Sequence, residues 1–132
     1  LLQDRYVLIC RDDHRLATRT RISWAQLESV PLIFPSHVRT NRALLDAAIG
    51  VRGIALQPHF EVGRSSTAIG MVAEGVAAAV VPGLAVQGGA YPTVRVVPIS
   101  GPVVSWSLVL VSRKKAHLSP AAQALHDMLR RP

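Results

Sequence analysis

Cysteine is almost absent from this chain: Cys10 stands alone among 132 residues. No internal disulfide is therefore possible, which agrees with a reducing compartment. Cys10 lies within Tyr6-Val7-Leu8-Ile9-Cys10 and reads as a buried thiol in a strand. Long apolar runs are missing too. The longest, Val76 to Val81, falls far short of the roughly 18–20 residues that a membrane span needs. No basic segment leads into an apolar one, so nothing reads as a signal peptide. The chain starts at Leu1-Leu2 without Met, as the interior of a longer polypeptide would.

Acidic residues are few, eight against fifteen Lys and Arg, for a net charge of +7. They are dispersed, with no acid/base pair in sight. Aromatics make up 5% and none is interleaved with the scattered arginines. The positive charge therefore reads as a solvated basic surface and not as a nucleic-acid face. His14, His37, His59, His117 and His126 do not fall at metal-ligand spacing. No G-x-S-x-G, Walker loop or G-x-G-x-x-G occurs. Catalysis, a resident metal and a cofactor are accordingly not expected. What is abundant is apolar side chain, 49% against 17% charged, which excludes disorder and requires a core.

Strand and helix signals alternate along the chain. Tyr6–Cys10 is a strand broken by Asp12-Asp13-His14. Ser23 and Gln26 have capping-box spacing and predict a short helix to about Ser29. Pro31 to Pro35 is a strand bracketed by prolines. Leu44, Leu45, Ala48 and Ile49 recur at helical spacing, with Gly50 or Gly53 placed to end that helix. Leu56, Pro58, Phe60 and Val62 alternate with polar residues, as a strand does. Val94–Ile99 is another strand. This βαβ alternation predicts an α/β layered fold of one domain.

Residues 60–83, FEVGRSSTAIGMVAEGVAAAVVPG, are the most informative stretch. A strand ends at Val62, and Ser65, Ser66 and Thr67 open a helix with Ile69, Val72, Ala73 and Val76 on one side. The helix stops at Gly75, and the strand Ala78–Val81 runs into Pro82-Gly83. A helix N-terminus at a strand end offers free backbone N–H groups to a small anion.

The last third behaves differently. Val104, Trp106, Leu108 and Leu110 alternate over a long half-buried strand. Ser119-Pro120 starts a helix whose apolar stripe is Leu125, Met128 and Leu129. One strand and one helix cannot bury their own apolar faces. They must complete a sheet whose other strands lie elsewhere, or pack on a partner chain.

The 60–83 segment resembles the effector-binding domain of LysR-type transcriptional regulators: E-V, a short polar loop, a helix like L-V-A-x-G and a strand closing on proline. Val7-Leu8-Ile9 with Asp13-His14-x-Leu16-Ala17 resembles that family's strand ending in H-P-L-A, with Arg15 in place of the proline. Ile22 to Leu27, Pro31-Leu32-Ile33 and Leu118 to Ala122 resemble further pieces, in the family's order. The resemblance implies a periplasmic-binding-protein-like (type 2) effector domain. Residues 1–100 would form one near-complete α/β subdomain, and 101–132 the C-terminal strand and helix of the other. The N-terminal winged helix-turn-helix would lie outside this chain, and DNA would be contacted only through it. A homodimer or tetramer in the cytoplasm, away from any membrane, is implied as well. A solute-binding protein of a transporter is the alternative with the same fold.

By the same resemblance, a small-molecule effector sits between the subdomains. The expected contacts are Ser36, His37, Arg39, Thr40 and Asn41 after the proline-bracketed strand, Gly63, Arg64 and Ser65 before the following helix, and Val104 at the start of the returning strand. Hydroxyls, an amide and guanidinium groups beside helix N-termini suit a carboxylate, so an organic acid is the expected ligand class. The plainer alternative is that Ser36, Thr40, Asn41 and Ser65 only cap helices, that Arg39 is solvated and that Val104 only packs.

Overall fold

The computed structural model describes residues 1–36, 42–89, 91–113 and 117–130. His37, Arg39, Thr40 and Asn41 lie outside the described residues. Seven strands and three α-helices follow one another: β1 (Leu2–Arg11), β2 (Ile22–Ser23), β3 (Leu32–Pro35), α1 (Arg42–Gly50), β4 (Phe60–Val62), α2 (Ser65–Ala73), β5 (Ala78–Pro82), β6 (Val94–Ser100), β7 (Ser105–Leu108) and α3 (Pro120–Arg130). The sheet order is β2-β6-β1-β5-β3-β4, with β7 also paired to β1. β2, β6, β5, β3 and β4 run one way; β1, antiparallel to both β5 and β6, runs the other.

Strict alternation sends successive residues to two cores. Tyr6, Leu8 and Cys10 of β1, Leu32 and Phe34 of β3, and Ala78 and Val80 of β5 join Leu45 and Ile49 of α1 on one face. Val7 and Ile9, Ile33, and Ala79 and Val81 meet Ala68, Ile69 and Val72 of α2 on the other. A sheet covered on both faces explains why its strands read as nearly continuous apolar runs. The α/β expectation is met.

Local signals hold with some amendments. Ser23 and Gln26 make the reciprocal capping-box bonds, Ser23 N–H to Gln26 Oε1 at 2.9 Å and Gln26 N–H to Ser23 Oγ at 3.4 Å. They close only a 3-10 turn, Ala25–Leu27, shorter than the helix expected to Ser29. Gly75 ends α2 in the left-handed region, φ +76°, where a side chain would be strained. Val76, expected on the apolar stripe, is therefore past the helix and half exposed; Ala68 takes its place beside Ile69 and Val72.

Two strands are shorter than their patterns. Only Phe60–Val62 of the alternating Leu56–Val62 run is strand, because among the described residues β4 pairs only with the short β3, from Ile33↔Phe60 to Pro35↔Val62. Pro58 has no N–H to extend that ladder. β7 spans Ser105–Leu108 and not the longer run to Leu110, because its partner begins at Leu2, opposite Leu108. Conversely, β1 extends through polar Gln3, Asp4 and Arg5, which pair with Ser107, Trp106 and Ser105.

α3 starts as expected, Ser119 Oγ accepting from the Ala122 N–H at 3.3 Å. It buries no residue. Leu125, Met128 (67% exposed) and Leu129 all face outward.

Candidate functional site

The carboxyl ends of β3 and β4 lie side by side, and the turn that follows β5 emerges at the same edge. In open α/β sheets this edge is where ligands bind. The Ser36 N–H donates to the Val62 carbonyl at 2.9 Å, so the segment after β3 and the segment after β4 are tied together. Gly63, Arg64 and Ser65 follow directly from Val62. A small depression beside them is lined by Pro35, Val62, Arg64, Ser65, Ala68, Val80 and Val81. Four of the sequence-derived residues, Ser36, Gly63, Arg64 and Ser65, thus share one edge.

Arg64, not Ser65, is the N-cap of α2; it is extended (φ −138°, ψ 137°) and makes no side-chain cap bond. Its carbonyl accepts from the Thr67 and Ala68 N–H groups at 3.1 and 3.3 Å. Ser65 is the first helical residue. The reading of Ser65 as a cap gives way, because a residue inside the first turn already has helical dihedrals. At Gly63 a Cβ would meet nothing within 4 Å, so no tight approach demands glycine. Val104 is 4% exposed in the larger core, and its carbonyl accepts from the Tyr6 N–H at 3.0 Å. Its side chain packs.

Arg42, one of the arginines assigned to the solvated surface, is in fact 5% exposed. The first residue of α1, it donates through Nε to Asp46 at 2.7 Å and through Nη1 to the Pro35 carbonyl at 3.2 Å. Glu61 of β4 lies 3.5 Å from Nη1, and the guanidinium carbon is 4.6 Å from the Phe34 ring centroid. A fork-shaped, delocalised cation satisfies all four partners where an ammonium would not. Arg42 thereby binds the end of β3, the end of β4 and the start of α1 into one unit behind the edge. Two cues in the sequence pointed to it: the i,i+4 spacing to Asp46 and a cation in a first helical turn, where the helix dipole disfavours it.

Tyr6 lies on the same face of the sheet, buried, with its ring 4.8 Å from that of Trp106 at a tilt of 59°. Burial pushes its hydroxyl up to about 12, against a smaller opposing pull from Arg42. A raised folded value means that stability is present in full below the unfolded value, near pH 10, and is lost as pH rises through about 12. Tyr6→Phe is thus expected to lessen the fall in stability between those pH values, measured by urea unfolding in alkaline buffers. An unchanged slope would show that Tyr6 binds its proton equally in the folded and unfolded chain.

Among the described residues no group of three His, Cys, Asp or Glu is placed to hold a metal, and no helix is long and apolar enough to cross a membrane.

The chain is 32% identical over 129 residues to the uncharacterized HTH-type transcriptional regulator YbhD of Escherichia coli strain K12, covering 98% of this chain and 41% of that protein. It spans about two fifths of that relative. Among solved structures, the regulatory domain of CcmR from Synechocystis PCC6803 in complex with 2-PG superposes with a TM-score of 0.73 at 19% identity, over 97% of this chain and 62% of that one. The effector binding domain of QuiR in complex with shikimate gives 0.71 at 22%, over 96% and 60%. These likenesses show the periplasmic-binding-protein-like fold. The family model for the LysR substrate binding domain matches residues 1–131, and with its strand order and helices in place, the chain belongs to the LysR substrate binding domain family.

Proposed function

We propose that this chain is the effector-sensing and oligomerisation module of a bacterial LysR-type transcriptional regulator. A small anionic molecule, an organic acid, binds at the carboxyl edge and changes how the whole protein holds DNA. The observation that carries this reading is the meeting of Ser36 with Gly63, Arg64 and Ser65 beside the N-terminus of α2. Hydroxyls, a guanidinium and the first-turn amides of a helix together favour a carboxylate over a neutral ligand. His37, Arg39, Thr40 and Asn41, between Ser36 and α1, complete the proposed contact set. Shikimate, the ligand in the QuiR structure, is itself a carboxylate.

Residues 1–100 act as one subdomain and 101–132 as the end of a second. The exposed stripe of α3 supports this division, since an apolar helix face in water needs a covering segment. A winged helix-turn-helix elsewhere in the protein contacts DNA, in keeping with the HTH-type description of the relative. The same description disfavours the transport reading. The regulator works in the cytoplasm as a homodimer or tetramer and catalyses no reaction. Exposed Tyr91 and Val96, which line an apolar groove with Ile69 and Val86, are surface suited to subunit contact.

Thermal unfolding of the full-length regulator against a set of small organic acids tests the ligand class. At about 100 times its dissociation constant a ligand adds roughly 2.7 kcal/mol of stability. One acid is expected to raise the melting temperature, and Arg39→Ala and Arg64→Ala to reduce that rise. No shift with any acid would contradict the anion reading.

A further inference from the structure

We propose that Asp4 and Trp24 are two pins that fix the β1–β7 ribbon to the main sheet, so that the ribbon transmits motion as a stiff lever. The proposal rests on the effector-domain reading above, in which residues on either side of the ribbon belong to different subdomains.

β1 changes partners at Arg5/Tyr6. Leu2 to Arg5 pair with Leu108 to Ser105 of β7; from Tyr6 on, the strand pairs with β5, and from Val7 on with β6. β1 runs unbroken through this joint, and the Tyr6 N–H donates to the Val104 carbonyl at 3.0 Å. A two-stranded ribbon is marginal by itself, so side-chain bonds across the joint add to its hold. Asp4 is the last residue but one of the ribbon segment, and its carboxylate residue is only 6% exposed. Its Oδ1 accepts from the Arg5 N–H at 2.8 Å and from the Leu84 N–H at 3.1 Å, 80 residues away. Leu84 lies in the 3-10 turn Gly83–Val86 that follows β5, so its amide is one the turn leaves unpaired. A carboxylate oxygen makes the stronger, charge-assisted bond to such an amide. Gly83 admits the approach: a Cβ there would sit 3.1 Å from Asp4 Oδ1 and 3.3 Å from the Arg5 carbonyl.

The loop leading into the second strand is pinned differently. Between β6 and β7 the chain turns at Gly101, φ +65°. The fully buried Trp24 donates its indole N–H to the Pro102 carbonyl at 2.8 Å, and its backbone N–H to the Ser100 carbonyl at 3.3 Å. The β1 strand of the ribbon therefore carries one long-range side-chain bond, to the turn after β5, and the loop that leads into β7 carries the other, from Trp24 just before the 3-10 turn Ala25–Leu27. The Tyr6–Trp106 ring contact stiffens the joint between them.

The test is the distance between spin labels on α2 (Thr67→Cys) and α3 (Gln123→Cys) in the full-length protein, labelled subunits diluted into unlabelled ones, with no ligand added. Asp4→Ala and Trp24→Phe are expected each to broaden the distance distribution. Asp4→Asn, which keeps an oxygen facing the Leu84 N–H, is expected to retain the parent width. Asp4→Ala and Trp24→Phe at the parent width, or Asp4→Asn as broad as Asp4→Ala, would overturn the proposal. Should Asp4→Ala fail to fold, Trp24→Phe, which keeps an aromatic ring in the core, decides alone. Because no ligand is present, failure of the organic-acid reading leaves this result standing, and the reverse also holds.

Discussion

Replacing Trp24 by alanine is expected to remove about 3–5 kcal/mol of stability, as emptying a fully buried aromatic site does. The side chain is wholly buried in the larger core cluster, on the face shared by Tyr6, Leu27, Val97, Ile99 and Val104. The indole N–H bond to Pro102 goes with it, adding about 1 kcal/mol. Small domains hold only about 5–15 kcal/mol in total, so the variant should unfold at a markedly lower urea concentration or not accumulate at all. Trp24→Phe should lose much less, since it keeps most of the ring volume. A Trp24→Ala midpoint close to the parent's would mean that the cluster collapses around the gap.

Arg42→Ala is expected to lose about 2–3 kcal/mol, and Arg42→Met about 1 kcal/mol or less. The difference separates packing from charge. Alanine removes the stem that lies over Phe34 together with every bond to Pro35, Asp46 and Glu61. Methionine restores the stem, and the two carboxylates it no longer contacts are themselves partly exposed, 38% and 41%, and so reach water. Urea midpoints of the two variants give the comparison. If methionine proved as damaging as alanine, the ion pairs and not the packing would hold this edge. Either result bears on function, because Arg42 anchors the ends of β3 and β4 from which Ser36 and Gly63–Ser65 project.

Much of this architecture could be read from the chain, for reasons that are local. Gly75 ends α2 because a positive φ favours glycine, and Ser119 caps α3 because a hydroxyl before proline satisfies a first-turn amide. What eluded the sequence is set by partners remote in the chain. β7 is short because β1 starts where it does, and β4 is short because β3 is. Gln3, Asp4 and Arg5 look like a polar lead-in, and only pairing with β7 makes them strand. Arg42 looks like one solvated arginine among fifteen basic residues; its burial follows from β3, β4 and α1 converging on it. The candidate site was legible as two polar loops each preceding a helix. That Ser65 lies inside the first turn, that Gly63 is unconstrained and that Val104 packs in the core depend on tertiary placement, which periodicity does not encode.

On the proposed function, this domain converts a bound small molecule into a change at DNA. The direct measurement is the affinity of the full-length regulator for its own promoter DNA, with and without a saturating concentration of whichever organic acid raises its melting temperature. Affinity, or the bend imposed on the DNA, is expected to shift with the acid, and Arg64→Ala to abolish the shift while leaving binding without the acid intact. The same affinity and the same bend in both conditions would contradict it.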